Sequence, residues 1–403
     1  MKSDLDEIFE SFESNRIFKD KSVLQINHRP EEILHREEQV NQIASILAPV
    51  LRGERTSNLF LYGNTGTGKT LSALYIREEL MKRFKRDSDF KLQIKYLNCK
   101  LKKVSDTEYR ILAELIRKLG GSVPETGLPT EAVYSRFIEL IDSEKQFLVL
   151  ILDEIDEAVK KISSDFLYNL TRLNSELANT QICIVGISNN LTFLDGLDPR
   201  VRSSLSEEEI IFPPYNALQL QEILNKRSLL AFKENVVEEG VVSKCAAFAA
   251  REHGDARRAL DLLRIAGELA ERDKSEKILV KHIDHANTKM EKDKILDIIR
   301  SEPKQFQYVL YSIIELSEKK EGPIFTGDVY EKYRDVCLKN KSDCLTQRRV
   351  SDIIQEFDML GIINVRVISK GRGGRMREIR LAIAKNIVEK AKEIIHETIN
   401  YNQ

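Results

Sequence analysis

The stretch Gly63-Asn64-Thr65-Gly66-Thr67-Gly68-Lys69-Thr70 has the spacing G-x-x-x-x-G-K-[ST]. Before it, Asn58-Leu59-Phe60-Leu61-Tyr62 is an apolar run of strand length. After it, Leu71 to Leu80 has helical spacing. Strand, glycine loop and helix are the context in which this spacing cradles phosphate. The glycines let the backbone curl so that successive N–H groups face one anion, and the helix N-terminus adds partial positive charge. The reading assigns Gly63, Asn64, Thr65, Gly66, Thr67, Gly68, Lys69, Thr70 and Leu71 to a nucleotide. Lys69 reaches its outer phosphates, and the Thr70 hydroxyl is a ligand for Mg2+.

Downstream, the sequence predicts a strand over Leu92–Asn98, a helix over 106–119 closed by Gly120-Gly121, and another helix from about Glu131. Phe147-Leu148-Val149-Leu150-Ile151-Leu152 is apolar throughout, as expected of a strand buried on both faces of a parallel sheet. It ends in Asp153-Glu154, about eighty residues beyond the loop, as in P-loop ATPases. In that template Asp153 holds the magnesium, mostly through water, and Glu154 polarises the water that attacks the γ-phosphate. A further strand, Gln181–Ser188, leads to Asn189, placed to touch the γ-phosphate or orient the water. Alternating strands and helices give an α/β parallel sheet whose ligands bind at the carboxyl ends of the strands. The loop, Asp153, Glu154 and Asn189 all fall there.

The totals bound the remainder. A chain of 403 residues with 42% hydrophobic residues holds two or three domains. No apolar run has bilayer-spanning length, so no membrane partner is expected, and the acidic N-terminus lacks an apolar signal core. Five scattered cysteines with no C-x-x-C pair read as free, mostly buried thiols in a reducing, cytoplasmic compartment. His282 and His285, three apart, read as surface histidines. A third of the residues are charged and tryptophan is absent, which suits a heat-adapted organism. With 63 basic and 64 acidic residues, any attraction to nucleic acid must come from a local patch.

That patch lies near the C-terminus. Beyond Glu302-Pro303, helices are expected over Phe306–Leu316, Val329–Leu338 and Thr346–Leu360, followed by strands over Ile362–Ile368 and Glu378–Ile383. Val350, Ile353, Ile354, Phe357 and Leu360 face a core, leaving Gln347, Arg348, Arg349 and Gln355 outward. Between the strands, Lys370-Gly371-Arg372-Gly373-Gly374-Arg375-Met376-Arg377 is a basic glycine turn. Three helices and a basic hairpin describe a winged helix, with the third helix in the major groove and the hairpin along the backbone or minor groove. Gln347, Arg348, Arg349, Lys370, Arg372, Gly373, Arg375 and Arg377 are the candidate DNA contacts.

Two further strings carry a family resemblance. Leu197-Asp198-Pro199-Arg200-Val201-Arg202-Ser203-Ser204-Leu205 resembles the AAA+ segment that bears an arginine finger. Gly254-Asp255-Ala256-Arg257-Arg258-Ala259-Leu260-Asp261 resembles the lid motif whose arginine reaches bound nucleotide. With the P-loop and the winged helix, they make the chain similar to archaeal replication initiators related to the eukaryotic origin recognition complex and its cell-division-cycle loader. The resemblance runs from about Arg29 to the C-terminal helix.

It implies ATP/ADP and Mg2+ as cofactors, with Asn189 as first sensor, Arg257 as second, and Arg200, or alternatively Arg202, as finger. Tyr215 closes the sheet domain beside the nucleotide. The stretch Val123–Phe137 falls where the family has a DNA-touching insertion, though little positive charge lies in it. The implied activity is weak, switch-like ATP hydrolysis. The implied partners are double-stranded origin DNA, paralogous initiator subunits on neighbouring sites and the replicative helicase, in the cytoplasm and at the nucleoid. An AAA+ motor such as a clamp loader or branch-migration helicase, or a winged-helix signalling or transcriptional switch ATPase, fits the same core motifs. The expected divisions are a tail over 1–20, an AAA+ domain over 21–215, a helical lid over 216–300 and a winged helix over 301–403.

Overall fold

The computed structural model describes residues 17–85, 88–100, 107–124, 127–163, 165–205, 207–320, 322–369 and 375–400. It forms two compact units that divide between Ile283 and Asp284.

The first unit is built on a parallel five-stranded sheet. Its strands are β1 (Asn58–Tyr62), β2 (Lys91–Asn98), β3 (Gln146–Asp153), β4 (Thr180–Ser188) and β5 (Glu207–Ile211), in the order β2-β3-β4-β1-β5. Every residue of β3 is buried, because helices cover both faces. On one face Leu148, Leu150 and Leu152 meet α3 (Glu108–Lys118) and α4 (Thr130–Ile141). On the other, Phe147, Val149 and Ile151 meet α1 (Glu37–Leu47) and α2 (Lys69–Arg83). The period-two alternation of an all-apolar strand thus fills two cores at once.

Two elements differ from the sequence expectation. The helix after Pro30 starts at Glu37, leaving Ile33 outside it, and tightens into a 3-10 turn, Ala48–Arg52, that accommodates Pro49. In the expected insertion, Val133, Phe137 and Ile141 of α4 are fully buried, so that helix belongs to the core. The loop before it, with Pro124, Leu128 and Pro129, is exposed, as are Thr130, Glu131, Ala132, Ser135 and Arg136 on the outer side of the helix.

Beyond β3 run α5 (Ile155–Lys161), α6 (Asp165–Arg172) and α7 (Pro199–Leu205). The lid follows as α8 (Ala217–Ala231), α9 (Val241–Arg251) and α10 (Ala256–Arg272). The sequence grouped residues 21–24 with the sheet, but residues 17–24 pack on the lid. Phe18 bridges Phe232, the Ile17 N–H donates to Glu271 Oε1 (2.9 Å), and Arg227 donates to the Val23 carbonyl (3.2 Å). His282, read from sequence as a surface residue, is fully buried at the start of α11 (Val280–Ser301). Its Nδ1 accepts the Leu279 N–H (2.9 Å) and Nε2 stands 3.5 Å from Asp273, while His285 is exposed.

The second unit packs the rest of α11 with α12 (Lys304–Lys319), α13 (Thr326–Lys339), α14 (Gln347–Met359) and α15 (Lys385–Asn400). Strands β6 (Ile324–Phe325), β7 (Ile363–Ser369) and β8 (Arg375–Leu381) form an antiparallel sheet in the order β6-β8-β7. This is the winged helix. Val350, Ile353, Ile354 and Phe357 are buried as expected, but Leu360 is 39% exposed because α14 has already ended at Met359.

Phe137→Ala removes a fully buried ring from the α3–α4 face. The first unit should lose about 3–5 kcal/mol of stability, read as a lower urea midpoint for the transition that reports this unit.

Candidate functional site

The P-loop leaves β1 at Tyr62 and enters α2 at Lys69. Gly66 and Gly68 hold left-handed φ values of 74° and 98°, the backbone conformation by which glycine loops can turn successive main-chain N–H groups toward an anion. The Lys69 ammonium is buried in this curl. It donates to the carbonyls of Gly63 (2.7 Å) and Asn64 (2.9 Å) and to Asn189 Oδ1 (2.9 Å). Burial pushes its pKa down to about 8, against the pull of Asp153; the nearby Arg257 pushes in the same direction as burial.

Asp153 ends β3 beside the loop. Its Oδ2 accepts the hydroxyls of Thr70 (2.9 Å) and Tyr96 (2.8 Å), and its Oδ1 accepts the Glu154 N–H (3.0 Å). Thr70 and Asp153 are therefore a pair of hard oxygen donors in direct contact, a donor set that fits a magnesium ion. Glu154 sits in the left-handed region (φ 54°, ψ 44°) as the strand turns into α5. Its Oε2 is buried without a hydrogen bond among the described residues and stands 3.7 Å from the Lys100 ammonium. Burial raises the Glu154 carboxyl above the usual range, and Lys100 opposes the rise. Such a perturbed carboxylate in a polar cleft is the kind of group that accepts a proton.

The lid reaches this cleft through the start of α10. The Ala256 N–H donates to the Gly66 carbonyl (3.3 Å), and Asp255 caps α10 by accepting from the N–H groups of Arg257 (2.8 Å) and Arg258 (3.3 Å). The Asp255 carboxylate lies so close to Gly66 that a Cβ there would sit 1.7 Å from Oδ1. Arg257 is exposed at this edge, within electrostatic reach of Lys69 and Glu154. Tyr215 is buried; its N–H donates to the Gly254 carbonyl (3.3 Å), and its hydroxyl would touch a Cβ at Gly68. Asn64 and Thr65 are exposed on the loop, Thr67 is buried with its hydroxyl on the Asn64 carbonyl (2.8 Å), and Leu71 is half-buried in α2.

Arg200 stands apart from this cluster. Its guanidinium is 80% exposed and forked onto Asp198 (3.1 and 3.0 Å). Arg202 pairs with Asp195 (3.1 Å). The residue that sequence reasoning missed is Arg36, only 2% exposed, whose guanidinium lies 3.8 Å from the Tyr215 ring centroid. The stretch around it reads as solvated charge, and its long-range partners carry no local signal.

In the second unit, Thr346 caps α14, and Gln347, Arg348, Arg349 and Gln355 are exposed on one surface. Arg349 leans toward Glu356 (3.7 Å) and Asp352 (4.0 Å). Arg377 on β8 donates to the Ser351 hydroxyl (3.4 Å) and so ties the hairpin to α14. Arg380 is paired with Glu378 (2.6 Å). Lys370, Arg372 and Gly373 lie outside the described residues, and Arg375 is described only as the first residue of β8.

Comparison with known proteins bears on this geometry. Residues 32–185 match the family model of an AAA ATPase domain, 221–288 that of the Cdc6 AAA+ ATPase-type lid domain, and 297–391 that of the CDC6 C-terminal winged helix domain. The ORC1-type DNA replication protein of Thermococcus onnurineus is 50% identical over 384 residues, spanning 94% of this chain and 92% of the relative. The chain belongs to the ORC1-type DNA replication protein family. The ORC1-type DNA replication protein 1 of Archaeoglobus fulgidus is also 50% identical, over 381 residues, covering 94% of this chain and 91% of that one. The Aeropyrum pernix ORC1 protein, solved in complex with DNA, superposes with a TM-score of 0.81 at 40% identity, over 96% of this chain and 98% of that chain. The replication-initiator family, the AAA+ domain and the winged helix expected from the motif strings are all present. Among the described residues no helix is long and apolar enough to cross a membrane.

The pKa of Lys69 gives this site a pH signature. Only the ammonium form attracts phosphate, and in the free protein it loses its proton near pH 8. Affinity for ATP should be level below about pH 7 and fall by up to about tenfold per unit well above 8. Fluorescence titrations at constant ionic strength from pH 6.5 to 9.5 measure this, and a level profile throughout would contradict it.

Proposed function

We propose that the chain is an ATP-controlled, sequence-specific binder of double-stranded origin DNA that helps recruit or load the replicative helicase. The observation that carries the ATP half is the convergence of Lys69, Thr70, Asp153, Glu154 and Asn189 at the carboxyl ends of β1, β3 and β4, against the Asp255 end of a lid helix. In this reading the loop N–H groups and Lys69 hold the outer phosphates, and Asn189 holds Lys69 in line with the γ-phosphate. Thr70 and Asp153 would hold magnesium, which would supply neutralising charge beside the outer phosphates. Glu154 orients a water and accepts its proton, and its raised carboxyl pKa supports that role. Arg257 senses the γ-phosphate from the lid. Exposed Arg200 is available to the site of a neighbouring paralogous subunit. Hydrolysis is slow, and ATP acts as a switch.

For DNA, the exposed face of α14 supports major-groove entry, with the hairpin of β7 and β8 on the backbone. The exposed loop around Leu128 supports a second contact from the sheet unit, through backbone groups and apolar side chains that flank or deform the duplex. The protein acts in the cytoplasm at the nucleoid.

A footprint of the purified chain with ATP and magnesium, across the intergenic DNA of its own genome, tests the reading. A few discrete protected sites near the chromosomal origin support it. Uniform weak protection that vanishes with salt contradicts it.

Two substitutions separate the halves. Lys69→Ala should abolish nucleotide binding, while Glu154→Gln retains ATP and hydrolyses it at least about tenfold more slowly. Unchanged turnover in the Glu154 variant would remove it from catalysis. Arg348→Ala should weaken DNA binding and lower the slope of log K against log salt by about one if it meets phosphate, or relax preference at one base position if it meets a base.

A further inference from the structure

Among the described residues Arg36 is the largest fully buried side chain, and its side-chain hydrogen bonds all go to main-chain carbonyls. Nε donates to Thr67 (2.8 Å), Nη1 to His35 (2.8 Å) and Nη2 to Pro213. One face of the guanidinium lies on the Tyr215 ring at 3.8 Å, with Phe212 at 5.8 Å. A buried charge is costly unless it is satisfied, so these five contacts fix its position closely. They belong to three pieces of chain: the segment before α1, the P-loop, and the Phe212–Tyr215 link from the sheet to the lid.

Two consequences follow. The peptide joining Thr67 to Gly68 is planar and trans, so its C=O and N–H point in opposite directions. Holding the Thr67 carbonyl outward on Arg36 turns the Gly68 N–H inward, toward the curl that contains Lys69. At its other end the same guanidinium grips Pro213 and Tyr215, and Tyr215 in turn holds Gly254 at the base of the lid motif. A planar five-donor fork can make these contacts at once; an ammonium cannot.

We infer that Arg36 is a positioning residue of the nucleotide site, one that aims the Gly68 N–H at the phosphates and transmits the state of the loop to the sheet–lid link. The inference rests on the reading of the loop as an ATP site.

The experiment uses the full chain, the fluorescent nucleotide mant-ATP with magnesium, and the variants Arg36→Lys and Arg36→Gln. A dye pair at Arg83→Cys and Glu239→Cys, in a Cys344→Ser background, reports the lid. Mant-ATP should dissociate roughly ten- to hundredfold faster from either variant, the scale of losing a charge-assisted hydrogen bond. At saturating nucleotide, where occupancy is equal, the dye-pair response should fall to below about half that of the parent. A purely structural arginine would lower the melting temperature and leave that saturated response intact. If Arg36→Gln does not fold, Arg36→Lys supplies both readouts. A parent chain that binds mant-ATP while the folded variants match its dissociation rate and lid response overturns the role of Arg36 alone. A parent that binds no mant-ATP overturns the nucleotide reading itself.

Discussion

The structure of the first unit depends on how closely other chain segments can approach the P-loop backbone. At Gly66 the Asp255 carboxylate comes within bonding distance of where a Cβ would be, and at Gly68 the Tyr215 hydroxyl stands 2.9 Å from the same point. Side chains at these positions would push the lid motif and the sheet–lid link away. Both residues also need left-handed φ values to form the curl. One local requirement, a loop able to surround an anion, is thus joined to a tertiary one, a lid that touches the loop. Arg36 fills the remaining side of the contact, so loop, link and lid meet around two glycines and one guanidinium.

The electrostatics of the cleft follow from burial. Lys69, Asp153 and Asp156 are each at most 5% exposed, and Glu154 is partly buried beside them. Asp153 accepts the hydroxyls of Thr70 and Tyr96 and the Glu154 N–H. The Glu154 Oε2 has no such set of donors among the described residues, and burial raises its carboxyl. Adjacent acids at one strand end thus differ in their surroundings, one held by three donors and the other buried without them among the described residues.

Much of this was legible in the sequence because it is local. The strand-loop-helix pattern, the six-residue apolar run before Asp153 and the outward face of α14 are each encoded within about twenty-five residues, where periodicity and glycine placement speak directly. The Asp255–Arg257 string was legible only through resemblance, since nothing local says that it touches Gly66. Arg36 was not legible at all. Its neighbours Glu31, Glu32, Glu37 and Glu38 give the stretch a solvated look, and its partners Thr67, Pro213 and Tyr215 lie up to 179 positions away. The lid-packing of residues 17–24, the core role of Phe137 and the burial of His282 were hidden for the same reason. Short apolar pieces do not declare which of several neighbouring surfaces they join.

The contacts of Gly66 with the lid and of Gly68 with the sheet–lid link require that the P-loop and the start of α10 respond to nucleotide as one piece. Amide hydrogen exchange of segments 63–70 and 254–260, with and without ATP and magnesium, tests it most directly. Both segments should slow together on ATP addition, by at least about tenfold. Protection confined to 63–70, with 254–260 exchanging as fast as in the free protein, would contradict it.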